Sequence, residues 1–158
     1  MIEPPKVRSL DALHPAFRAK LVRCLDAMSR AGLPFDVDET HRTVERQAWH
    51  FAKGRTIQGP PCDDEKPCAK HPLGLTVTSC DGIKHRSQHQ RGLAADVYPL
   101  RADGRRWIPP AHHEVWLLLS TQAHAVGLRH GREWNDCPHL QWAGTPPVES
   151  AAQREMGT

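Results

Sequence analysis

Two short segments of the 158-residue chain combine metal-type ligands with turn residues. In the first, His89 and Asp96 lie seven positions apart, with Gly92 and small residues between them. The second reads Asp136-Cys-Pro-His139. Two imidazoles and one carboxylate make three protein ligands and leave the fourth tetrahedral position open, as in catalytic zinc sites. These residues predict an open zinc site formed by His89, Asp96 and His139.

A carboxylate close to this predicted site has the position of a general base. Asp136 precedes His139 by three residues. In metal-assisted hydrolysis the ion activates water and polarises a carbonyl, while a carboxylate takes the proton and passes it to the leaving amine. The residues therefore predict hydrolysis of an amide bond. Glu133 remains an alternative base.

Composition restricts the class of protein. With 39% hydrophobic and 25% charged residues, a chain of this length predicts one globular domain. No apolar run is long enough to cross a bilayer. A net charge of +3 without a basic stripe argues against a nucleic-acid partner. The N-terminus lacks a signal-peptide pattern, which predicts cytoplasmic synthesis, and 11 histidines favour a search for metal ligands.

The elements that must position these residues can be read from hydrophobic periodicity and breakers. Helices are predicted from a cap at Ser9 or Asp11 to Gly32, over 43–53 and over 111–126. Strands are predicted over 35–38, 93–100 and 139–142, and the second contains Asp96. We expect one domain over residues 1–144 and a disordered tail over 145–158.

The segment between Arg55 and Asp81 predicts a long loop, because it is rich in glycine, proline and charge. A second, structural zinc is one hypothesis for its cysteines and histidine. The candidate ligands are Cys62, Cys68, His71 and Cys80. Their spacing matches none of the common zinc patterns. Free thiols or a disulfide between Cys62 and Cys68 are the alternatives.

At the two ligand segments the chain resembles a known family. Ser-x-His-x-x-Gly-x-Ala-x-Asp at 87–96 and Asp-x-Pro-His at 136–139 are similar to the zinc peptidases related to D-Ala-D-Ala carboxypeptidases. The nearest branch is the L-alanyl-D-glutamate endopeptidases of phage endolysins. Further similarities, such as Gly54-Arg-Thr56, extend the resemblance over residues 9–142. It implies an α+β fold of the hedgehog and DD-peptidase type, in which a small antiparallel sheet carries the zinc and helices cover its back.

The resemblance also implies roles for individual residues. His89, Asp96 and His139 would bind one catalytic zinc, and Asp136 would be the base. Arg42 falls where the family has an arginine near the scissile carbonyl, so it would stabilise the developing oxyanion.

Three further residues are expected around the site. Ser87 would support the ligands without binding the ion. Trp134 is expected beside the cleft, as a packing residue or a substrate contact. Glu133 is expected next to it.

The function that the resemblance implies is hydrolysis of peptidoglycan stem peptides between L-alanine and D-glutamate, by a monomeric phage or prophage endolysin that reaches the cell wall after release. A D-alanyl-D-alanine carboxypeptidase is one alternative. A non-catalytic zinc-binding module, as in the hedgehog signalling domain, is another. Arg42 and Asp136 favour an enzyme, because a structural metal would need neither of them.

Overall fold

A computed structural model describes residues 1–62 and 70–148 of the chain. These residues form three α-helices and four strands. In chain order they are α1 (Pro15–Arg30), β1 (Phe35–Glu39), α2 (Val44–Ala52), β2 (Ala94–Pro99), α3 (Glu114–Ala125), β3 (Leu128–His130) and β4 (His139–Trp142). Short 3₁₀ turns occupy Leu10–Ala12, His89–Arg91 and Gly131–Trp134. Within the described ranges, no helix combines the length and apolar character needed to cross a membrane.

The four strands form one antiparallel sheet in the order β1-β2-β4-β3. Because successive side chains of a strand face opposite sides, Ala95 and Val97 of β2 enter the hydrophobic core while Asp96 faces away from it. Asp96 is opposite Glu39 of β1 and opposite His139 of β4. The register therefore places three functional side chains in a row across the sheet.

The core lies between the sheet and the helix pair α1 and α3. The buried positions of α1 recur at helical spacing, as do those of α3, so each helix presents one apolar face. These residues are Phe17, Leu21, Cys24 and Met28 from α1, and Val115, Trp116, Leu119 and Ala123 from α3. Full burial of one such side chain stabilises a fold by about 1.5–3 kcal/mol. The core holds the sheet rigidly from behind, and the opposite face is left for the site.

The expected α+β fold is confirmed, with two differences in detail. The first helix begins at Pro15 because the His14 side chain accepts the Ala16 N–H at 3.1 Å. Ser9 instead caps the preceding 3₁₀ turn. The sequence prediction also missed β3, which has only three residues and is therefore too short for a periodic signal.

One glycine lets the long loop approach α2 closely. Gly54 follows α2 at φ +71, and a Cβ there would lie 2.5 Å from the Leu75 carbonyl. Gln47 of α2 continues this contact, because its Nε2 donates to the Cys80 carbonyl at 2.8 Å. The segment 75–80 is thereby held beside the helix, where it forms part of a cleft.

Candidate active site

The structure brings the three predicted zinc ligands together at one end of the sheet. His89 Nε2 lies 3.3 Å from His139 Nδ1 and 3.4 Å from Asp96 Oδ1. His139 Nδ1 lies 3.2 Å from the same Asp96 oxygen. Both imidazoles are buried, with 2% and 8% exposure for His89 and His139. These atoms form a nearly equilateral triangle.

The far side of each imidazole is fixed by an acceptor. His89 Nδ1 lies 2.8 Å from the Thr40 carbonyl oxygen, and His139 Nε2 lies 3.0 Å from Gln141 Oε1. A ring nitrogen that donates to such an oxygen leaves the other nitrogen with a lone pair. Both lone pairs then point toward Asp96. Two lone pairs and a carboxylate at contact distance form a site for a cation.

The triangle has the dimensions that tetrahedral zinc requires. Bonds of about 2.0–2.1 Å to nitrogen and oxygen at tetrahedral angles place ligand atoms about 3.3 Å apart. The observed separations of 3.2–3.4 Å match this value. Among the described residues, this is the one group of three or more His, Cys, Asp or Glu side chains with suitable spacing. The residues present therefore fit zinc.

Electrostatic coupling accompanies this geometry. Burial alone would raise the pKa of Asp96, but the adjacent His89 and His139 outweigh it and hold that pKa well below its usual value. For Asp136 the direction is opposite, because partial desolvation in the cleft and the negative charge of Asp96 raise its pKa. The two carboxylates thus have distinct environments within one cleft.

The turn before β4 places Asp136 beside the triangle. Asp136 Oδ2 lies 4.0 Å from His139 Nδ1, and its side chain is 53% exposed toward solvent. The backbone closes the turn through Asp136 N to the Gly131 carbonyl at 2.8 Å and His139 N to the Asp136 carbonyl at 3.0 Å. A Cβ on Gly131 would lie 2.0 Å from the Asp136 carbonyl oxygen. Only glycine allows this close approach.

Arg42 lies on the other side of the triangle and is held by two side chains. Its Nε and Nη2 donate to Glu39 Oε2 at 3.1 and 2.6 Å, and its Nη1 donates to Gln47 Oε1 at 3.2 Å. Nη2 is also 3.5 Å from Asp96 Oδ2. Glu39 binds Arg46 with its second oxygen. Burial would raise the pKa of Glu39, but the arginines lower it, so the carboxylate stays charged.

Ser87 and Trp134, both predicted near the site, line its cleft. Ser87 Oγ accepts the Gln90 N–H at 3.4 Å and so contributes to the turn that carries His89. The Trp134 ring is 41% exposed and meets the His139 ring edge-on, with 5.8 Å between centroids. Trp134 is therefore a partly exposed wall of the cleft that also packs on a ligand.

Glu133, the alternative base, does not line the cleft. Its two carboxylate oxygens bind His124 Nε2 at 3.0 Å and Arg129 Nη2 at 2.9 Å. The Arg129 guanidinium in turn lies 4.9 Å from the centre of the Trp134 ring. Glu133 thus holds the Arg129 guanidinium over the Trp134 ring.

The cleft has a volume of about 890 Å³, which is large enough for a peptide segment. The triangle of His89, Asp96 and His139 forms the floor of this cleft. One wall consists of α2 and the 75–80 segment, and the other consists of the turn before β4. The lining residues besides the triangle are Arg42, His50, Lys53, Pro60, residues 75–80, Ser87, Gln88, Trp134, Asn135, Asp136 and Gln141.

The hypothesis of a second zinc is not supported by the described part of the loop. Cys62, His71 and Cys80 do not form a group with metal-ligand spacing among the residues that the structure describes. Cys68 lies outside those residues, as does most of the predicted tail. A zinc that uses Cys68 stays a prediction.

Several residues of the site were missed in the sequence prediction. Gln141 could have been found, because it is two positions after His139 in a strand and so shares its face. Glu39 and Thr40 carry no local signal, since their roles depend on pairing with distant β2 and on the turn that carries His89.

No protein-family model and no curated protein matches the chain, but solved structures do. The L-Ala D-Glu endopeptidase ChiX of Serratia marcescens aligns with TM-score 0.53 and 23% identity, over 88% of this chain and 89% of its own. The LD-carboxypeptidase LdcB, whose structure is described as revealing the basis of peptidoglycan recognition, aligns with TM-score 0.53 and 16% identity. The alignment covers 92% of this chain and 63% of LdcB. The vancomycin-resistance D,D-pentapeptidase VanY, in a complex of its E175A variant with Zn(II), aligns with TM-score 0.55 and 18% identity. The alignment covers 84% of this chain and 73% of VanY. The chain therefore has the fold that these three peptidases share, as the sequence resemblance implies.

Proposed function

We propose that the chain is a zinc-dependent peptidase that hydrolyses an amide bond in the stem peptide of peptidoglycan. The observation that carries this proposal is the triangle of His89, Asp96 and His139, with sides of 3.2–3.4 Å, at the floor of an open cleft. The peptidoglycan substrate is supported by the neighbours of the same fold, which include an L-Ala D-Glu endopeptidase and a carboxypeptidase that recognises peptidoglycan.

The triangle would hold the zinc, which when bound supplies a Lewis acid for the scissile carbonyl and for the attacking water. His89 and His139 present lone pairs because Thr40 and Gln141 accept their other ring protons. Asp96 supplies the negative charge that partly neutralises the ion. The protein thus contributes a preformed, oriented ligand set.

Asp136 is the proposed general base. It is beside the triangle, its carboxylate faces the cleft, and the Gly131 contact fixes its turn. It would take a proton from the attacking water and deliver it to the leaving amine nitrogen. Glu133 is poorly placed for this work, because both of its oxygens bind groups outside the cleft.

Arg42 is proposed to stabilise the negative charge that develops on the carbonyl oxygen. Glu39 and Gln47 fix the guanidinium, which borders the cleft beside Asp96 and has further N–H donors. A donor that is oriented before the substrate arrives needs no reorganisation during the reaction. The buried Glu39 therefore contributes to the proposed chemistry by positioning Arg42.

Among stem-peptide bonds we propose the one between L-alanine and D-glutamate. The sequence resemblance supports this choice, as does the matched length of ChiX, of which 89% is covered. Action as a phage or prophage endolysin, synthesis in the cytoplasm and a monomeric state stay predictions from the sequence.

Digestion of purified peptidoglycan, followed by mass spectrometry of the fragments, tests the proposal. We expect a new amino terminus on D-glutamate, loss of cleavage with a chelator, and recovery with added Zn²⁺ but not Mg²⁺. The Asp136→Asn protein serves as the matched inactive control. Release of D-alanine would assign the carboxypeptidase activity instead. Bound zinc without any cleavage would refute the peptidase and favour a binding module.

A further inference from the structure

The cleft holds polar groups that the proposed chemistry does not use, on α2 and on the turn that carries His89. His50 Nε2 and Gln88 Oε1 are both buried, and neither has a hydrogen-bond partner within the described part of the chain. Both residues line the cleft, and so does Lys53. Buried polar atoms are nearly always paired in folded proteins. Unpaired atoms beside a cleft mark side chains that a ligand can satisfy. Because neither atom touches solvent in this conformation, each side chain must rotate to meet the ligand.

Lys53 provides a positive charge close enough to His50 to contribute to lowering the pKa of that imidazole. It follows the last residue of α2, three positions after His50, so the two side chains leave neighbouring positions of the helix surface. Its Nζ lies 3.6 Å from the centre of the Trp49 ring. In residues 1–62 and 70–148, no carboxylate lies within ion-pair distance of Lys53, and the negative charge of Glu3 acts on it only from farther away. The aromatic ring orients the ammonium group without neutralising it.

His50 complements the lysine as a neutral group. Burial and the positive charge of Arg42 lower the pKa of His50 to about 3, so the imidazole is uncharged near neutral pH. A neutral imidazole carries one N–H donor and one acceptor. This wall of the cleft therefore combines an unpaired cation with a hydrogen-bond donor, which suits an anionic oxygen group. Gln88 Oε1 is an acceptor and suits a peptide N–H.

We propose that His50 and Lys53 form a specificity subsite for a carboxylate of the substrate peptide, while Gln88 accepts a backbone N–H of the same peptide. This inference rests on the proposed function, because it takes the cleft as the stem-peptide site. The carboxylate can be the α-carboxylate of D-glutamate or the carboxylate at the C-terminus of the peptide. Each source can be blocked separately by amidation.

Peptide binding to the full-length, zinc-loaded Asp136→Asn protein tests the subsite without turnover. Calorimetry would compare three stem peptides: one with both carboxylates free, one with the α-carboxylate of D-glutamate amidated, and one with the C-terminus amidated. We expect Lys53→Met to weaken binding of the free peptide about tenfold, the size of a charge-assisted hydrogen bond. The same substitution should not change binding of the peptide in which the recognised carboxylate is amidated. The peptide that is insensitive to Lys53→Met therefore shows which of the two carboxylates the subsite binds.

Lys20→Met is the matched control, since Lys20 also lies over a tryptophan ring, 4.2 Å from the centre of Trp142, but does not line the cleft. Its binding should equal that of the parent protein. His50→Leu should reproduce the Lys53→Met selectivity, and His50→Gln, which restores an N–H donor, should recover part of the affinity. Thermal unfolding checks that each variant folds.

The subsite and the proposed function fail in different ways. If Lys53→Met and His50→Leu leave all three affinities unchanged, or weaken all three equally, the subsite is wrong even if the wild-type protein cleaves peptidoglycan. If the wild-type protein cleaves nothing but shows the carboxylate preference in binding, the peptidase proposal fails and the subsite stands. Gln88→Leu should weaken all three peptides alike, because they share the backbone N–H.

Discussion

The floor and the α2 wall of the cleft differ in how their polar groups are paired. On the floor, His89 and His139 have a protein oxygen behind each ring, and both face Asp96. On the wall, His50 Nε2 has no partner among the described residues, and neither has Gln88 Oε1 at the turn that carries His89. The same cleft thus contains one region whose ligand atoms are held in place and one region whose polar atoms are unsatisfied.

This difference separates two kinds of recognition. An ion needs ligand atoms fixed to within a few tenths of an ångström, and buried partners behind each ligand provide that precision. A peptide brings its own donors and acceptors, so the groups that meet it are left unpaired until it binds. The comparison predicts that floor substitutions affect metal and turnover, whereas wall substitutions affect which peptide binds.

The largest expected effect comes from removing a floor ligand. In His89→Ala the triangle loses one of its three ligand atoms, so zinc binding and hydrolysis should both be lost, with a fall in kcat of at least about a thousandfold. Metal analysis and peptidoglycan digestion measure the two effects. His85→Ala is the control, because His85 is four positions away and exposed. Equal zinc content in both variants would contradict the assignment of His89 as a zinc ligand.

Asp136→Asn should remove activity while leaving the floor intact. The asparagine keeps the size of the side chain but cannot take a proton, so kcat should fall about 10²–10⁴-fold. Bound zinc should stay at the wild-type level, because Asp136 is adjacent to the triangle and not part of it. Parallel metal analysis and steady-state kinetics distinguish this result from the His89→Ala result.

Glu133→Gln is the matched control for the base. Its carboxylate binds His124 and Arg129 outside the cleft, so kcat should change by less than about threefold. If Glu133→Gln lost activity and Asp136→Asn retained it, the roles of the two carboxylates would be exchanged.

The sequence predicts the floor better than the wall, and the reason is physical. His89, Asp96 and His139 are types of residue with few structural uses in such a pattern. The strand that carries Asp96 is predicted by an apolar run over 93–100 that only this residue interrupts. The packing face of α1 was likewise predictable, since Phe17 and Leu21 recur at helical spacing. The face of α3 was only partly predictable, because Leu118 has the spacing of the apolar positions but is 45% exposed, whereas Trp116 is buried. Local pattern was enough for the floor and for α1.

The wall and the supports behind the floor depend on long-range geometry. His50 has no motif, and its unpaired Nε2 becomes apparent only in the cleft that α2 and the 75–80 segment line together. Glu39 reaches Asp96 only through a strand pairing with an irregular register between Val37 and Glu39. Such contacts join residues far apart in the chain, and hydrophobic periodicity contains no information about them.

Gln141→Leu tests whether the partners behind the floor matter. Gln141 Oε1 lies 3.0 Å from His139 Nε2, and leucine would leave that ring nitrogen without an acceptor. Loss of a hydrogen bond behind a metal ligand typically lowers affinity about 10–100-fold. Competition with a chelator of known affinity measures the change. Gln122→Leu is the control, because Gln122 is a partly buried glutamine of α3 that does not line the cleft. Unchanged zinc affinity in Gln141→Leu would show that the floor does not depend on this partner.

The smallest effect on activity is expected at Asp38, a buried carboxylate outside the cleft whose partners are all supplied by the protein. Its side chain is 7% exposed and pairs with Lys6 and Arg106. Burial would raise its pKa, but these cations outweigh burial and lower it below 3.8. Asp38→Asn should leave kcat unchanged. It should reduce the free energy of unfolding by about 2 kcal/mol at pH 7. This loss is smaller than is usual when a buried ion pair is broken, because both cations are partly exposed.

The pH dependence of this loss has a definite sign. A carboxylate whose pKa is lower in the folded state stabilises the fold above its unfolded pKa, and that stabilisation disappears as pH falls through the folded value. The difference in free energy of unfolding between wild type and Asp38→Asn should therefore be constant from pH 7 to about pH 5. It should decrease toward zero below about pH 4. Urea unfolding at a series of pH values measures it. Because Asp38 is fully paired like the floor but does not line the cleft, a loss of turnover in Asp38→Asn at pH 7 would mean that pairing alone does not separate structural carboxylates from functional ones.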